Sequence, residues 1–234
     1  MNTAAADPPV LAADAVTCVA DGRTVLDAAS LTVRAGERVA LMGPSGSGKT
    51  TMLTTLAGLI APARGRVLVR GAELGATPEL RRELAIILQG YGLVSLLTAA
   101  ENVEIALRAA GGDPATAIDT AAATLARLGL AHFTDHLVDD LSGGQQQRVA
   151  VARGVALARA TARDRAPGVL LADEPTAEQD ADHRAAILTE LFAVADEGTA
   201  LIIATHDAEV AEMCGRTVHI DDSRVTDNAA PTPR

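Results

Sequence analysis

The stretch Gly43-Pro44-Ser45-Gly46-Ser47-Gly48-Lys49-Thr50 decides the fold of this chain. It fits the pattern G-x-x-x-x-G-K-[ST] and lies between a predicted strand, Arg38–Met42, and a predicted helix, Thr50–Leu59. Its glycines let backbone N–H groups turn towards an anion, and the following helix presents the positive end of its dipole to the same point. The stretch therefore predicts a phosphate-binding loop, or P-loop.

Lys49 is the only lysine among 20 basic residues, so its place in the P-loop is informative. A lysine is a compact charge on a flexible stem, whereas an arginine presents a planar guanidinium that would not fit the same cradle. We expect Lys49 to reach the β- and γ-phosphates of a nucleotide, with Thr51 also in contact with the phosphates. Thr50 is expected to supply a hydroxyl ligand for Mg²⁺.

Short β-type runs separated by helical patterns continue along the chain and predict an α/β sheet. Between about residues 92 and 141 the β-type runs stop, and the periodicity predicts the helices Thr98–Ala109 and Ala115–Leu130. We interpret the apolar stripe of the second helix as the packed face of a helical insertion. The predicted strands are Ser30–Val33, Arg38–Met42, Arg66–Val69, Leu84–Leu88, Val169–Ala172, Thr199–Ala204 and Thr217–Ile220, and the stripe consists of Ile118, Ala121, Ala122, Leu125 and Leu128.

Two carboxylates follow the predicted buried strand Val169–Ala172. Asp173 is placed to order the water shell of a metal bound beside the P-loop. Glu174 is placed to polarise an attacking water as a general base. An Asp-Glu pair is also common at helix starts, so this interpretation depends on the P-loop earlier in the chain.

Composition limits the partners and the compartment. A formal net charge of −10 argues against binding to nucleic acid, since phosphate contacts need clustered Lys and Arg. The two cysteines, Cys18 and Cys214, show neither disulfide nor zinc spacing. The longest apolar runs fall far short of the roughly 20 residues that cross a bilayer. The start, Met1 to Asp14, has no signal-peptide pattern and is predicted to be a flexible, cytoplasmic tail.

A P-loop occurs in many folds and does not distinguish among them. A second glycine-containing motif in this chain does. The stretch Leu141-Ser142-Gly143-Gly144-Gln145-Gln146-Gln147-Arg148 resembles the signature motif of ATP-binding cassette (ABC) ATPases. Its order after the P-loop and before Asp173 also matches that family. Physically, the Ser142 hydroxyl, the two glycine amides and the start of a helix, Gln145–Ala158, form a second anion-binding turn.

The resemblance covers most of the chain and implies a fold. That fold is α/β: a P-loop NTPase core of the ABC type, with an antiparallel β subdomain and an inserted α-helical subdomain. The implied organisation is a flexible tail over residues 1–13, an ABC ATPase domain over 14–226 and a second tail over 227–234. The helical subdomain, about residues 92–160, is inserted in the RecA-like core.

The resemblance also implies roles for single residues, carried over by position. Gln89 occupies the Q-loop position, where the family's glutamine senses metal and water and couples to the membrane subunit. His206 matches the switch histidine that contacts the γ-phosphate. Asp180 matches the aspartate of the D-loop, which is used across a dimer interface. In that family, two chains pair head to tail, and each ATP lies between the P-loop of one chain and the signature motif of the other.

A narrower likeness concerns Leu171–Thr176 and Gln89–Val103. Both stretches look like the subfamily that serves lipoprotein release, macrolide-type efflux and the cell-division ABC pair. It implies a separate membrane permease contacted by Gln89–Val103, with the ATPase on the inner face of the cell membrane. The alternative is a force-transmitting or regulatory ATPase that acts on a membrane partner without moving a solute. A soluble DNA-repair or ribosome-acting ABC protein fits the length and acidity less well.

The sequence departs from the family pattern at two positions. Family members stack adenine on an aromatic residue near the first strand, but Val19 in Cys18-Val19-Ala20 occupies that place, and no aromatic precedes Tyr91. We therefore expect weaker ATP binding and less discrimination against GTP. Gln179 stands before Asp180 where the family commonly has leucine, so we expect a looser dimer contact there.

Overall fold

A computed structural model describes residues 8–164 and 168–228. Of the predicted tails, 1–13 and 227–234, residues 1–7 and 229–234 therefore lie outside the described residues. In chain order the elements are β1 (Leu11–Ala20), β2 (Arg23–Val33), β3 (Arg38–Met42), α1 (Lys49–Leu56), β4 (Arg64–Val69), β5 (Ala72–Glu73), α2 (Pro78–Arg81), β6 (Leu84–Ile87), α3 (Ala99–Ala109), α4 (Pro114–Arg127), a 3-10 turn (Val138–Asp140), α5 (Gly143–Asp164), β7 (Val169–Asp173), α6 (Ala181–Asp196), β8 (Ala200–Ala204), α7 (Ala208–Cys214), β9 (Arg216–Asp221) and β10 (Arg224–Asn228).

The strands form two sheets. One is antiparallel and four-stranded, in the order β2-β1-β4-β5. The other has six strands in the order β10-β9-β3-β8-β7-β6, parallel from β9 to β6 with β10 antiparallel at its edge. This arrangement, with α3, α4 and α5 lying between β6 and β7 in the chain, confirms the predicted α/β fold with an antiparallel β subdomain and inserted helices.

The parallel sheet is covered on both faces. Every residue of β7 and of β8 is buried, as expected for strands with helices on one side and a second layer on the other. Alternate residues enter different apolar cores: Leu170 and Ala172 pack with the helical layer, whereas Val169 and Leu171 pack with α1 and the antiparallel sheet. The sheet is therefore a rigid platform between two packed layers.

The chemically active predicted residues collect at the carboxyl edge of this platform. The P-loop follows β3, Asp173 ends β7, and Gln89 and His206 follow β6 and β8. Parallel strands end at the same edge of a sheet, so loops that are distant in sequence meet there. The strand order thus brings together four segments that the sequence separates.

The folded part of the chain begins and ends outside the predicted limits. β1 starts at Leu11, and residues 11–13 are buried between β2 and β4, so they belong to the domain and not to a tail. The alternation that would have indicated this strand is interrupted after Ala13, where the register shifts and Ala15 takes a φ of 49°. At the other end, β10 pairs with β9 as far as Asn228.

The predicted apolar stripe of the second helix is partly wrong. Leu125 and Leu128 are buried as expected, but Ile118 is 53% exposed, and Ala117 is buried in its place. Ala122 is also exposed. Because α3 and α5 cover only one side of α4, the buried stripe is rotated by about one residue from the predicted one. None of the helices within residues 8–164 and 168–228 has the length and apolarity to cross a membrane.

Candidate active site

The P-loop is a tight turn that only glycine can form at its first position. Gly43 has a φ of 154°, and a Cβ added there would lie 2.6 Å from the Ser47 hydroxyl and still nearer to the Ile220 carbonyl. Gly48, with a φ of 108°, precedes α1 without any side-chain cap. The first N–H groups of α1 are therefore left for an external acceptor, as the sequence predicts.

Two polar side chains of the P-loop also fit an anion. The Lys49 ammonium is folded back on the loop, where Nζ donates to the carbonyls of Gly43 (2.7 Å) and Pro44 (3.2 Å). The buried Ser47 hydroxyl has no hydrogen-bond partner among the described residues. A buried hydroxyl without a partner is costly, and a phosphate oxygen in the loop would supply one. The P-loop thus fits the phosphates of ATP.

A cleft of about 450 Å³ opens over the P-loop. Its walls bring together nine of the predicted site residues and one residue that was not predicted, Val25. A larger cleft of about 670 Å³ lies among the helices and contains none of the predicted site residues; the Glu190 carboxylate on its wall already pairs with Arg127 and Arg159. The smaller cleft is lined by Val25, Ser45, Gly46, Gly48, Lys49, Thr50, Thr51, Gln89, Asp173 and Glu174.

Thr50 and Asp173 form the pair predicted to hold a metal. The Thr50 hydroxyl donates to Oδ2 of Asp173 at 2.7 Å, although 122 residues separate the two in the chain. Asp173 is only 2% exposed, and this burial raises the pKa of its carboxyl, while the Thr50 hydrogen bond opposes the shift. A hydroxyl and a buried carboxylate side by side are oxygen ligands of the kind that Mg²⁺ prefers.

Glu174 and His206 also meet at this edge. Nδ1 of His206 lies 2.9 Å from Oε1 of Glu174, and the Glu174 N–H donates to the carbonyl of Ala204 at 2.9 Å. The Glu174 side chain is mostly buried, whereas the His206 ring is largely exposed. The backbone of Glu174 has a φ of 47°, an uncommon conformation for a residue with a side chain. The carboxylate predicted to be the general base therefore has a specific histidine partner.

The segment after β6 places Gln89 in the cleft lining, and the residues immediately after Gln89 lie outside that lining. Gln89 lines the cleft, as predicted. Beyond it, Tyr91 has a φ of 59°, and the guanidinium of Arg153 on α5 donates to the carbonyls of Tyr91 (2.7 Å) and Gly92 (2.6 Å). α5 thus fixes the path of the chain after Gln89.

The signature turn begins α5 and lies apart from the P-loop cleft. The Ser142 hydroxyl accepts from the Gln145 N–H (3.3 Å), and the Gln145 side chain accepts from the Ser142 N–H (2.8 Å), which is a reciprocal helix cap. The described lining of the cleft contains none of Ser142, Gly143, Gly144 and Gln145. One chain therefore does not bring its own signature turn to its own P-loop.

Asp180 and Val19 also lie outside that lining, as do Gly43, Pro44, Ser47 and His206. Asp180 caps α6, accepting from the His183 N–H at 2.9 Å, and this backbone hydrogen bond, followed by the contact with the His183 ring, lowers the pKa of the Asp180 carboxyl. Val19 lies within β1 and is 54% exposed. Of the apolar side chains near the start of the chain, Val25 on β2 is the one that reaches the cleft.

A comparison with protein families decides the assignment. The model of the ABC transporter family matches residues 26–177, which include the P-loop, the signature turn and the two acidic residues Asp173 and Glu174. The chain belongs to the ABC transporter family. The resemblance inferred from the two motifs is therefore confirmed.

Relatives of this ABC cassette agree with the assignment. It is 38% identical over 212 residues to an uncharacterised ABC transporter ATP-binding protein of Mycobacterium tuberculosis, covering 88% of this chain and 62% of the relative. It is 39% identical over 215 residues to the macrolide export ATP-binding/permease protein MacB of Rhodospirillum rubrum, covering 89% of this chain and 32% of MacB. The chain thus spans less than two thirds of the length of these relatives.

A solved structure supports the fold and the chemistry of the cassette. The dimeric structure of a post-hydrolysis state of the ATP-binding cassette MJ0796, bound to ADP and Pi, superposes with a TM-score of 0.84. The two chains are 30% identical, and the match covers 95% of this chain and 100% of MJ0796. The chain accordingly has the fold of an ATP-binding cassette.

Some residues of the cassette that contact the site escaped the sequence interpretation. The buried side chain of Gln147 donates to the Glu174 carbonyl at 2.8 Å, and Gln179 donates to the Gln147 side chain at 2.7 Å. From the sequence, Gln179 was predicted only to affect a dimer contact, and Gln147 was noted only as part of the signature motif. No sequence pattern signals either contact, because α5 and the segment after β7 meet only in the folded chain.

Proposed function

We propose that this cassette is the ATP-binding and hydrolysing subunit of an ABC transporter of the export or lipoprotein-release/efflux type, and that it drives a separate membrane permease. Two copies would pair head to tail around two Mg²⁺-bound ATP molecules. The observation that carries the proposal is the separation of two anion-binding elements on one chain. The P-loop lines a cleft, and the Ser142-Gly143-Gly144 turn lies outside that lining.

The signature turn supports pairing with a second copy. α5 is 22 residues long and starts at Gly143, so its unpaired N–H groups and dipole favour an anion at this end. Ser142 and the two glycines are at least partly exposed, which leaves them accessible to a phosphate carried by another chain. A γ-phosphate held by Lys49 of one copy would meet Ser142 of the other, and Asp180, beside that surface, is the residue proposed to cross the interface.

The metal would arrive with the nucleotide. Thr50 and Asp173 supply adjacent hydroxyl and carboxylate oxygens, and Gln89, on the neighbouring strand end, is the third proposed ligand. When bound, Mg²⁺ supplies positive charge that neutralises charge developing on the β- and γ-phosphates. The roles of Lys49, Ser47 and the α1 N–H groups are to hold the phosphates in a fixed position, which is the main contribution of a protein to phosphoryl transfer.

Glu174 is the proposed base for hydrolysis. The water oxygen attacks the γ-phosphorus, the bond from that phosphorus to the bridging oxygen breaks, and ADP leaves while the water proton passes to the Glu174 carboxylate. His206 follows β8 and lies 2.9 Å from that carboxylate, so it would orient the carboxylate, and it is proposed to contact the γ-phosphate. A positioned general base typically contributes about 10²–10⁴-fold to the rate.

The proposed permease contact is the segment Gln89–Val103. Leu96 in this segment is 83% exposed, and Val94 is also exposed beside it. The segment nevertheless has a defined shape, because the Asn102 side-chain amide holds the backbone of Val94. Its oxygen accepts from the Val94 N–H at 2.8 Å, and its nitrogen donates to the Val94 carbonyl at 3.0 Å. Exposed apolar side chains on a preformed surface favour docking of another protein. This contact would place the cassette on the inner face of the cell membrane.

The head-to-tail arrangement has a direct test by mixing two defective copies. One copy carries Lys49→Ala and the other Ser142→Arg, both in a Glu174→Gln background that retains ATP. Neither variant alone should dimerise with Mg²⁺ and ATP in size-exclusion chromatography. A mixture should dimerise, because it contains one intact P-loop facing one intact signature turn.

The matched control places both substitutions in one chain and mixes it with the Glu174→Gln protein. That mixture carries the same altered residues but no intact site in the mixed dimer, so it should yield no heterodimer. If the two mixtures formed equal amounts of heterodimer, the head-to-tail arrangement would be contradicted. Loss of ATP binding by the Glu174→Gln protein itself would contradict the nucleotide site.

The permease requires its own experiment. Affinity purification of the chain from detergent-solubilised membranes should retain a membrane protein, and replacing Leu96 with Asp should release it. Reconstitution of that pair in vesicles then separates the two functions left open by the sequence: solute movement coupled to ATP use supports transport, and ATP use without solute movement supports force transmission.

A further inference from the structure

The catalytic carboxylate belongs to a residue with an unfavourable backbone. Glu174 has a φ of 47°, which is costly for a residue with a Cβ and persists only where the surroundings impose it. Its N–H is held by the Ala204 carbonyl at 2.9 Å. Its carbonyl accepts from Nε2 of Gln147 at 2.8 Å and, at a longer 3.3 Å, from the N–H of Ala177. The short contact at the carbonyl therefore comes from a side chain of α5.

The Gln147 side chain is hydrogen-bonded through both its NH₂ group and its oxygen, and these partners fix its orientation. It is 4% exposed, and its Oε1 accepts from Nε2 of Gln179 (2.7 Å) and from the Glu178 N–H (3.3 Å). Turning the amide over would place Oε1 against the Glu174 carbonyl and the NH₂ group against two donors. The partners on both sides thus hold the donor towards Glu174.

Gln179 locks this arrangement to the signature turn. Its Nε2 donates to the Gly144 carbonyl at 3.0 Å as well as to Gln147. A Cβ added at Gly144 would lie 3.1 Å from the Glu178 carbonyl, so the two segments are in close contact. A continuous set of hydrogen bonds therefore runs from the first turn of α5 through Gln179 and Gln147 to the backbone of Glu174.

We infer that Gln147 is a positioning residue for hydrolysis: its amide holds the strained backbone of Glu174 so that the carboxylate faces the cleft, and Gln179 fixes that amide. Gln147 is not among the residues that line the cleft, and it contacts that lining at the Glu174 backbone carbonyl. The inference rests on the proposed function, in which Glu174 is the general base. Small displacements of such a group have large effects, since a misplacement of about 1 Å can reduce a rate by about 10²-fold.

The first test replaces Gln147 with methionine, which has a similar shape but no amide. We expect kcat for ATP hydrolysis to fall about tenfold to hundredfold, with KM for ATP and ATP-driven dimerisation changed less than about twofold. The matched control is Gln146→Met. Gln146 is the preceding residue of the helix, and its amide donates to the carbonyls of Val138 (3.0 Å) and Leu141 (3.1 Å) without reaching Glu174. The control should retain kcat within about threefold.

The second test asks whether Gln147 acts through Glu174. In a Glu174→Gln protein, which lacks the carboxylate, adding Gln147→Met should leave the residual hydrolysis unchanged. A further tenfold fall would overturn the inference, as would a normal kcat for Gln147→Met alone. If Gln147→Met does not fold, Gln179→Met is measured in its place, because it leaves both Gln147 and Glu174 unchanged. We expect its kcat to fall about threefold to tenfold at constant KM. A normal kcat for this variant would overturn the inference.

Failure of the inference is distinguishable from failure of the proposed function. A normal kcat for Glu174→Gln would remove the general base and with it the proposed chemistry. A large loss for Glu174→Gln together with a normal kcat for both glutamine variants would leave the chemistry intact and reject only the positioning role.

Discussion

The hydroxyl of Tyr91 donates a hydrogen bond to Oε2 of Glu178 at 2.9 Å, joining the segment after β6 to the turn before α6. Burial of the Tyr91 side chain raises its pKa, and the hydrogen bond and charge of Glu178 raise it further. The same carboxylate lies against the signature turn, since a Cβ added at Gly143 would be 2.8 Å from it. One side-chain pair thus connects three segments of the cassette.

Replacing Tyr91 with phenylalanine removes this hydrogen bond and keeps the ring. Because the pair is partly exposed, we expect a loss of about 1 kcal/mol in the free energy of unfolding, measured with urea at pH 7. The folded-state pKa of Tyr91 lies above the ordinary value of 10.0, so its contribution is complete below pH 10 and is lost as the pH rises through the folded pKa. The stability difference between the two proteins should therefore shrink above pH 10; a difference independent of pH would contradict this account.

Lys49→Arg should inactivate the cassette. Nζ of Lys49 fits between the carbonyls of Gly43 and Pro44, and the side chain is only 9% exposed, which leaves little room for a guanidinium. We expect ATP affinity to fall at least about tenfold and hydrolysis about a hundredfold or more, measured by nucleotide titration and phosphate release. An unchanged melting temperature without nucleotide is the control for folding. Retention of wild-type hydrolysis would show that a charge alone is sufficient at this position.

Asp173→Asn should stabilise the cassette without nucleotide while removing its response to Mg²⁺ and ATP. A buried carboxylate is costly, and an asparagine keeps an oxygen that can accept from the Thr50 hydroxyl. The melting temperature without ligand is therefore expected to rise. With Mg²⁺ and ATP the wild-type protein should gain stability, by about 2.7 kcal/mol at a ligand concentration of 100 times Kd, and the variant should gain much less. Equal gains would argue against Asp173 as a metal ligand.

Val19→Tyr tests the missing adenine-stacking ring. Stacking of a base on an aromatic side chain contributes about 1–3 kcal/mol, so the substitution should tighten ATP binding about 5- to 150-fold and restore preference over GTP. Val19→Leu, which adds apolar area without a ring, is the matched control and should bind ATP like the native chain. Equal affinities of all three proteins would mean that Val19 does not face the base. In that case Val25, which lines the cleft, would be the next position to examine.

The local motifs were predictable from the sequence because their chemistry depends on neighbouring residues. The glycines of the P-loop, the single lysine and the start of α1 follow one another in the chain, and backbone geometry alone turns them into a phosphate site. The buried strands β7 and β8 were equally visible, since strands covered on both faces are continuously apolar.

Predictions that depended on packing were less accurate. β1 was missed because a register shift after Ala13 interrupts its alternation. The buried stripe of α4 was predicted to include Ile118, but Ala117 is buried instead. The periodicity of a helix does not show from which direction neighbouring helices, here α3 and α5, cover it.

The amino-acid sequence by itself determined that this protein belongs to the ATP-binding cassette family and which residues are proposed to face the phosphates of a nucleotide, since those groups lie within short, contiguous motifs. Only the tertiary structure decided how the proposed base is held. Glu174 takes its conformation from Ala204, 30 residues later, and Gln147, 27 residues earlier. Such contacts form where strands and helices meet, and their geometry depends on the packing of the whole sheet and not on the spacing of residues along the chain.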